Sequence, residues 1–166
     1  MKKLAAISGF VILIILLYYI SVALSDKHRI AMLRSKIQEG DAESVSYLIT
    51  KHPELLNADL ESDRRDKLKP LSLAAGLGQE AICSNLLTLG ADVNELNKIH
   101  YTPLHQTIMS DQTNVASLLI RHGADLTVKN NEGLTPLEMT IKYCPTCSNM
   151  IMILSAAVPT NTTNRN

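Results

Sequence analysis

The sequence predicts an all-α solenoid of about four helix-turn-helix repeats with short hairpin loops, preceded by an N-terminal signal or anchor helix. Three observations predict it. Pro-Leu recurs at Pro70-Leu71, Pro103-Leu104 and Pro136-Leu137, with the same spacing both times. Gly-Ala-Asp recurs at Gly90-Ala91-Asp92 and Gly123-Ala124-Asp125 with that spacing again, each at the same offset beyond its proline. The composition is aliphatic: 46% of the 166 residues are apolar but only 4% aromatic, with no Trp and one Phe, which suits close-packed short helices better than a β-sandwich.

The first element is the apolar stretch from Leu4 to Leu24, which follows Met1-Lys2-Lys3 and carries no charge. At 1.5 Å per helical residue it reaches roughly 31 Å, about the hydrocarbon thickness of a bilayer. It is expected to meet a membrane, as a cleaved signal peptide or, preferred for its length, an uncleaved signal anchor. Small-x-small sequences at Ser21-Val22-Ala23 and Ala23-Leu24-Ser25 keep cleavage open, and the short basic leader reads as cytoplasmic, with the body exported. The expected organisation is therefore 1–25 signal or anchor, 26–158 repeat domain and 159–166 a disordered tail.

The repeats follow in order. A degenerate first one places Gly40-Asp41 against Gly78-Gln79 and Leu48-Ile49 against Leu86-Leu87, and puts an insertion within Glu54 to Lys69. In the second, helices are expected over Leu71 to Leu77 and Glu80 to Leu89. Thr102-Pro103 and Thr135-Pro136 start the leading helices of the third and fourth, because threonine caps free N–H groups and proline lacks the N–H that would go unpaired at the first turn. Gly90 and Gly123 stop second helices by taking a positive φ without strain. In the fourth repeat Cys144-Pro145-Thr146-Cys147 replaces the turn, and Ile151 to Leu154 form the second helix. Helices this short are unstable alone and must be held by stacking, with Leu73, Leu86, Leu87, Leu104, Leu118, Leu119 and Leu137 expected in the core.

Thr102-Pro103-Leu104-His105, Thr135-Pro136-Leu137-Glu138, the period from one proline to the next and the Gly-Ala-Asp stop resemble the ankyrin repeat. The resemblance implies a protein-binding surface at the hairpin tips and six or seven residues beyond each proline. It picks out Arg65, Leu68 and Leu77 around Pro70; Leu96, Lys98, Ile99, Tyr101, Met109 and Ser110 around Pro103; and Asn131, Glu132, Leu134, Lys142 and Tyr143 around Pro136. Apolar residues flanked by charges suit a protein-recognition patch, although Leu68 and Leu134 also fit positions packed beneath a hairpin. It further implies that His105 is a structural, hydrogen-bonding residue.

Chemistry has little purchase elsewhere. Sixteen basic residues balance sixteen acidic ones, which lacks the electrostatic footprint of a nucleic-acid binder. No zinc-ligand spacing, phosphate loop or nucleophile elbow occurs, so no cofactor, metal, small-molecule substrate or catalytic residue is assigned. Cys144 and Cys147 are a structural disulfide in an oxidising compartment or two plain thiols elsewhere; a redox pair is the remote alternative. Cys83 reads as a small core residue, and Asn161-Thr162-Thr163 is a formal glycosylation sequon. The layout, a Met-Lys-Lys leader and apolar segment before ankyrin-like repeats, resembles bacterial ankyrin immunity proteins encoded beside type VI lipase effectors. That resemblance implies a toxin partner and an inner-membrane-anchored or soluble periplasmic location. A periplasmic scaffold or stress-related interaction protein is the alternative.

Overall fold

The computed structural model of the chain describes residues 15–16, 24–60 and 68–157. Most of the apolar segment expected to meet a membrane, Arg65 in the inserted loop and the tail beyond Ala157 lie outside the described residues.

Helix α1 covers residues 24–39. It is followed by α2 (Ala42–Lys51), a 3-10 turn (Pro53–Asn57), α3 (Pro70–Gly76), α4 (Glu80–Thr88), α5 (Pro103–Met109), α6 (Thr113–Arg121), α7 (Pro136–Tyr143) and α8 (Ser148–Ala157). Four helix pairs result, as the period predicts. First helices stack on first helices, α3 on α5 and α5 on α7; second helices stack likewise, α2 on α4, α4 on α6 and α6 on α8. The base of the inserted loop is pinned where the Leu60 amide donates to the Leu68 carbonyl at 2.9 Å.

Each repeat contributes to one aliphatic core through Leu33 and Ile37, Leu71 and Leu86, Leu104 and Leu119, then Met139 and Leu154, all fully buried. Of the residues expected inside, Leu86, Leu104, Leu118 and Leu119 are buried. Leu73, Leu87 and Leu137 are only half-buried, packed against the core. Leu137 has a clear physical reason. Its equivalents Leu71 and Leu104 are covered by the following repeat, and among the described residues no repeat follows the fourth.

Local chemistry sets the helix starts. Thr102 and Thr135 both close capping boxes, accepting from the amides of His105 and Glu138. Lys69, at the same position before α3, has no side-chain acceptor and makes no cap bond. Its place is taken from the next hairpin, where Glu95 Oε1 accepts from the Ser72 amide at 3.2 Å and the Ser72 hydroxyl at 3.0 Å. A cap supplied from another repeat carries no local sequence signature.

The turns inside the repeats also differ. In the first three the chain reverses through one left-handed residue, Gly40 (φ +77°), Gly78 (φ +71°) and Asp111 (φ +50°). The turns share a bonding pattern: the Gly78 and Asp111 amides donate to Ala75 and Ile108, and those of Gln79 and Gln112 to Ala74 and Thr107. The fourth turn is longer, so Cys147 takes the place of Gln112: the Ser148 amide donates to Thr146 at 2.8 Å as Thr113 does to Asp111, and the Ile151 amide to Cys147 at 3.0 Å as Ala116 does to Gln112. A Cys144–Cys147 disulfide spans this turn with the Cα atoms 5.4 Å apart. The shift resolves the register of α8: Met150 and Leu154, not Met152, occupy the core positions held by Val115 and Leu119 in α6.

Candidate functional site

The first helices and the hairpins before them enclose two adjoining clefts. One, of about 320 Å³, lies between repeats two and three and is lined by residues including Leu73, Leu77, Ile99, Gln106 and Met109. The other, of about 490 Å³, lies between repeats three and four; Ile108, Asp111, Glu132, Tyr143 and Cys144 are among its walls. Tyr101, Met109 and Ser110 line both, which makes the two clefts one groove.

The residues expected to bind a partner separate accordingly. Leu77, Met109 and Tyr143 are exposed at 44%, 64% and 51% and stand along the groove. Ile99 is half-buried at its wall. Tyr101, expected as an exposed anchor, is instead buried at 8% exposure. Its ring packs against that of His105 with centroids 5.5 Å apart. It is therefore a wall of the groove that also supports the fold. Leu96 and Lys98 are exposed in the hairpin but line neither cleft. Leu134 packs half-buried against the core, the alternative left open for it, and works through its carbonyl.

That carbonyl accepts from His105 Nε2 at 3.3 Å, while Nδ1 accepts from the Thr102 amide at 3.3 Å. Since a carbonyl only accepts, the proton sits on Nε2, and one imidazole caps α5 and tethers the fourth repeat's hairpin to the third. Burial holds the His105 ring below its ordinary titration range. The structural role that the resemblance implies for His105 is what the geometry shows.

At the far end of the groove Glu132 is the hub. The Tyr143 hydroxyl donates to Glu132 Oε2, Lys142 Nζ lies 2.9 Å from the same oxygen, and the Tyr101 hydroxyl approaches Oε1 at 3.5 Å. The Tyr143 hydroxyl, then the Lys142 ammonium, hold the Glu132 carboxyl below the usual range. Burial, then the adjacent Glu132 charge, push the Tyr101 phenol up, so it remains a neutral donor.

None of the three cysteines offers a free thiolate. Burial pushes the Cys83 thiol up to about 12, so at neutral pH it is a protonated core group. Cys144 and Cys147 are joined, and Cys144 edges the second cleft. Among the described residues no cluster of three His, Cys, Asp or Glu side chains is placed to hold a metal ion. No helix among them is long and apolar enough to cross a membrane.

Two residues of note fall outside the set the sequence singles out. Asp111 lines the second cleft, and the repeat period places it at the position equivalent to Gly78, a signal that the sequence carries. Glu95 is buried at 4% exposure with Oε2 making no hydrogen bond. Its signal depends on the packing of one hairpin against the preceding repeat.

The comparisons with known proteins agree with this geometry. A sequence model of ankyrin repeats (three copies) matches residues 28–130 and again 71–163. Human Rabankyrin-5 is 43% identical over 70 residues, and the mouse protein of that name 43% identical over 72. In each case the match covers 42% of this chain and 6% of the relative. Ankyrin repeats are protein-protein interaction modules, and the four stacked helix pairs with their groove have that architecture. The chain belongs to the ankyrin-repeat family.

Proposed function

We propose that the chain is a non-enzymatic binding protein that holds a protein partner in the groove spanning repeats two to four and blocks it by occlusion. The observation that carries this is continuity: exposed Leu77, Met109 and Tyr143 lie on one strip joined through Tyr101 and Ser110. Large apolar side chains gathered on one exposed surface mark contact sites, and solenoid stacks characteristically bind along their concave side. A photo-crosslinking residue placed at Met109 should capture the partner, whereas one at exposed Thr88 in the second-helix layer should not. Capture at position 88 with none at 109 would put the binding surface elsewhere.

The finer reading is an exported immunity protein that neutralises a secreted lipase-type antibacterial effector, either anchored in the inner membrane or free in the periplasm. It is supported by the Lys2-Lys3 leader, the length of the uncharged segment 4–24 and the repeats that follow. A fusion of residues 1–30 to alkaline phosphatase should be active; inactivity alongside an active cytoplasmic reporter would reverse the orientation. An adjacent lipase-like gene whose toxicity this chain suppresses supports immunity. Absence of such a gene favours the periplasmic scaffold.

A further inference from the structure

We infer that the cleft between repeats three and four receives a lysine or arginine side chain from an extended segment of the partner, with Asp111 as the recognising carboxylate. The inference rests on the groove reading above and names the chemistry of what the groove takes.

Charge complementarity is the first argument. The second cleft is lined by two carboxylates, Asp111 and Glu132, and by no basic side chain. Glu132 is already compensated by the Lys142 ammonium and the Tyr143 hydroxyl. Among the described residues no hydrogen bond or ion pair occupies the Asp111 carboxylate, so it is the uncompensated charge at the cleft. The walls beside it are Met109, Ile108 and the tyrosines Tyr101 and Tyr143, which offer apolar and aromatic surface to the alkyl stem of a cationic side chain.

The backbone supplies the second argument. Asp111 has φ +50° at the position where the first two repeats carry Gly40 and Gly78. A left-handed conformation costs a residue with a Cβ roughly 1 kcal/mol that glycine avoids. The turn therefore does not need this side chain. A Cβ at Gly40 or Gly78 would meet the side chain of Gln79 or Gln112 from the following repeat, and the turn bonding puts Cys147 at the corresponding place in the fourth repeat.

The adjoining first cleft fixes the rest of the segment. Its lining includes Leu73, Leu77 and Ile99 and no charged side chain, so it suits an aliphatic residue. Stacked helices lie about 8–10 Å apart and an extended chain advances about 3.3 Å per residue, which separates the two anchors by about three residues. The partner segment thus carries an aliphatic residue and a basic one at that interval.

The test uses the purified full-length chain in mild detergent and a positional-scanning array of acetylated decapeptides with Lys, Arg, Glu, Gln or Leu fixed at each position. Binding should concentrate on peptides with Lys or Arg about three residues from Leu. Asp111→Asn, which tolerates the left-handed turn, should weaken the best peptide about tenfold and remove the basic preference while keeping the aliphatic one. Asp111→Gly should behave alike and serves if the asparagine variant folds poorly. Peptides selected with no basic preference, a preference for Glu, or unchanged affinity in the folded variants overturn the inference and leave the groove reading standing. Selection of no peptide by the wild type, or selection that survives Met109→Glu and Leu77→Glu together, overturns the groove reading as well.

Discussion

Replacing Glu95 tests whether a carboxylate from one hairpin caps the leading helix of the preceding repeat. Glu95→Ala removes the acceptor of both the Ser72 amide and the Ser72 hydroxyl, and Ser72 is only 1% exposed. Leaving a buried donor unpaired costs about 1–3 kcal/mol, so the loss should be about 2–4 kcal/mol, the hydroxyl recovering part by turning to a nearby carbonyl. Glu95→Gln keeps an acceptor and removes the charge, and should stay within about 1 kcal/mol of the parent at neutral pH. The pH dependence separates the two effects. Burial, the largest influence, raises the Glu95 carboxyl above 4.5, while the Ser72 bonds oppose it. Between 4.5 and that raised value the folded protein holds more protons than the unfolded chain, so the carboxylate's contribution to stability falls as pH rises. Urea unfolding followed by circular dichroism from pH 4 to 8 should show the parent losing stability relative to Glu95→Gln across that window. A Glu95→Ala loss below about 0.5 kcal/mol would refute the cap, whereas parallel pH profiles for parent and Gln variant would refute the burial-raised carboxyl.

Leu119→Ala opens a cavity at a fully buried position and should cost about 2–5 kcal/mol by chemical unfolding; a loss under about 0.5 kcal/mol would mean the register is wrong. His105 has the opposite pH sign to Glu95. Its folded value lies below 6.5, so the unfolded chain takes up protons first and stability falls as pH drops below about 6.5, a slope that His105→Gln should flatten in thermal melts. Tyr101→Ala should lower stability by about 3 kcal/mol as well as binding, because the ring is buried, while Met109→Ala should leave stability within about 0.5 kcal/mol and weaken crosslinking to the partner. Cys144→Ser with Cys147→Ser opens a very short loop and should cost at most about 2 kcal/mol while partner binding persists; binding lost at unchanged stability would transfer the function to the cysteines.

Whatever is encoded within about ten residues, the span of a helix and its cap, can be read from adjacent residues alone. Thr102-Pro103 and Thr135-Pro136 specify helix starts because cap and proline act on the turn they begin. Repetition of such units at a constant spacing then leaves stacking as the way to bury their apolar faces. The fold class, the order of helices and the core leucines Leu86, Leu104, Leu118 and Leu119 were legible for that reason, as was the line of Leu77, Ser110 and Tyr143, which occupy equivalent places in successive repeats. Packing of one repeat on the next settled what no single repeat encodes. It buried Tyr101 against His105, left Leu137 half-covered at the last repeat, and shifted the register of α8 through a longer, disulfide-spanned turn. It also brought Glu95 to the start of α3 and set Asp111 at the mouth of a cleft. The physical reason is common to all of these: caps and turns are local energies fixed by adjacent residues, whereas burial and charge compensation are set by neighbours one repeat away.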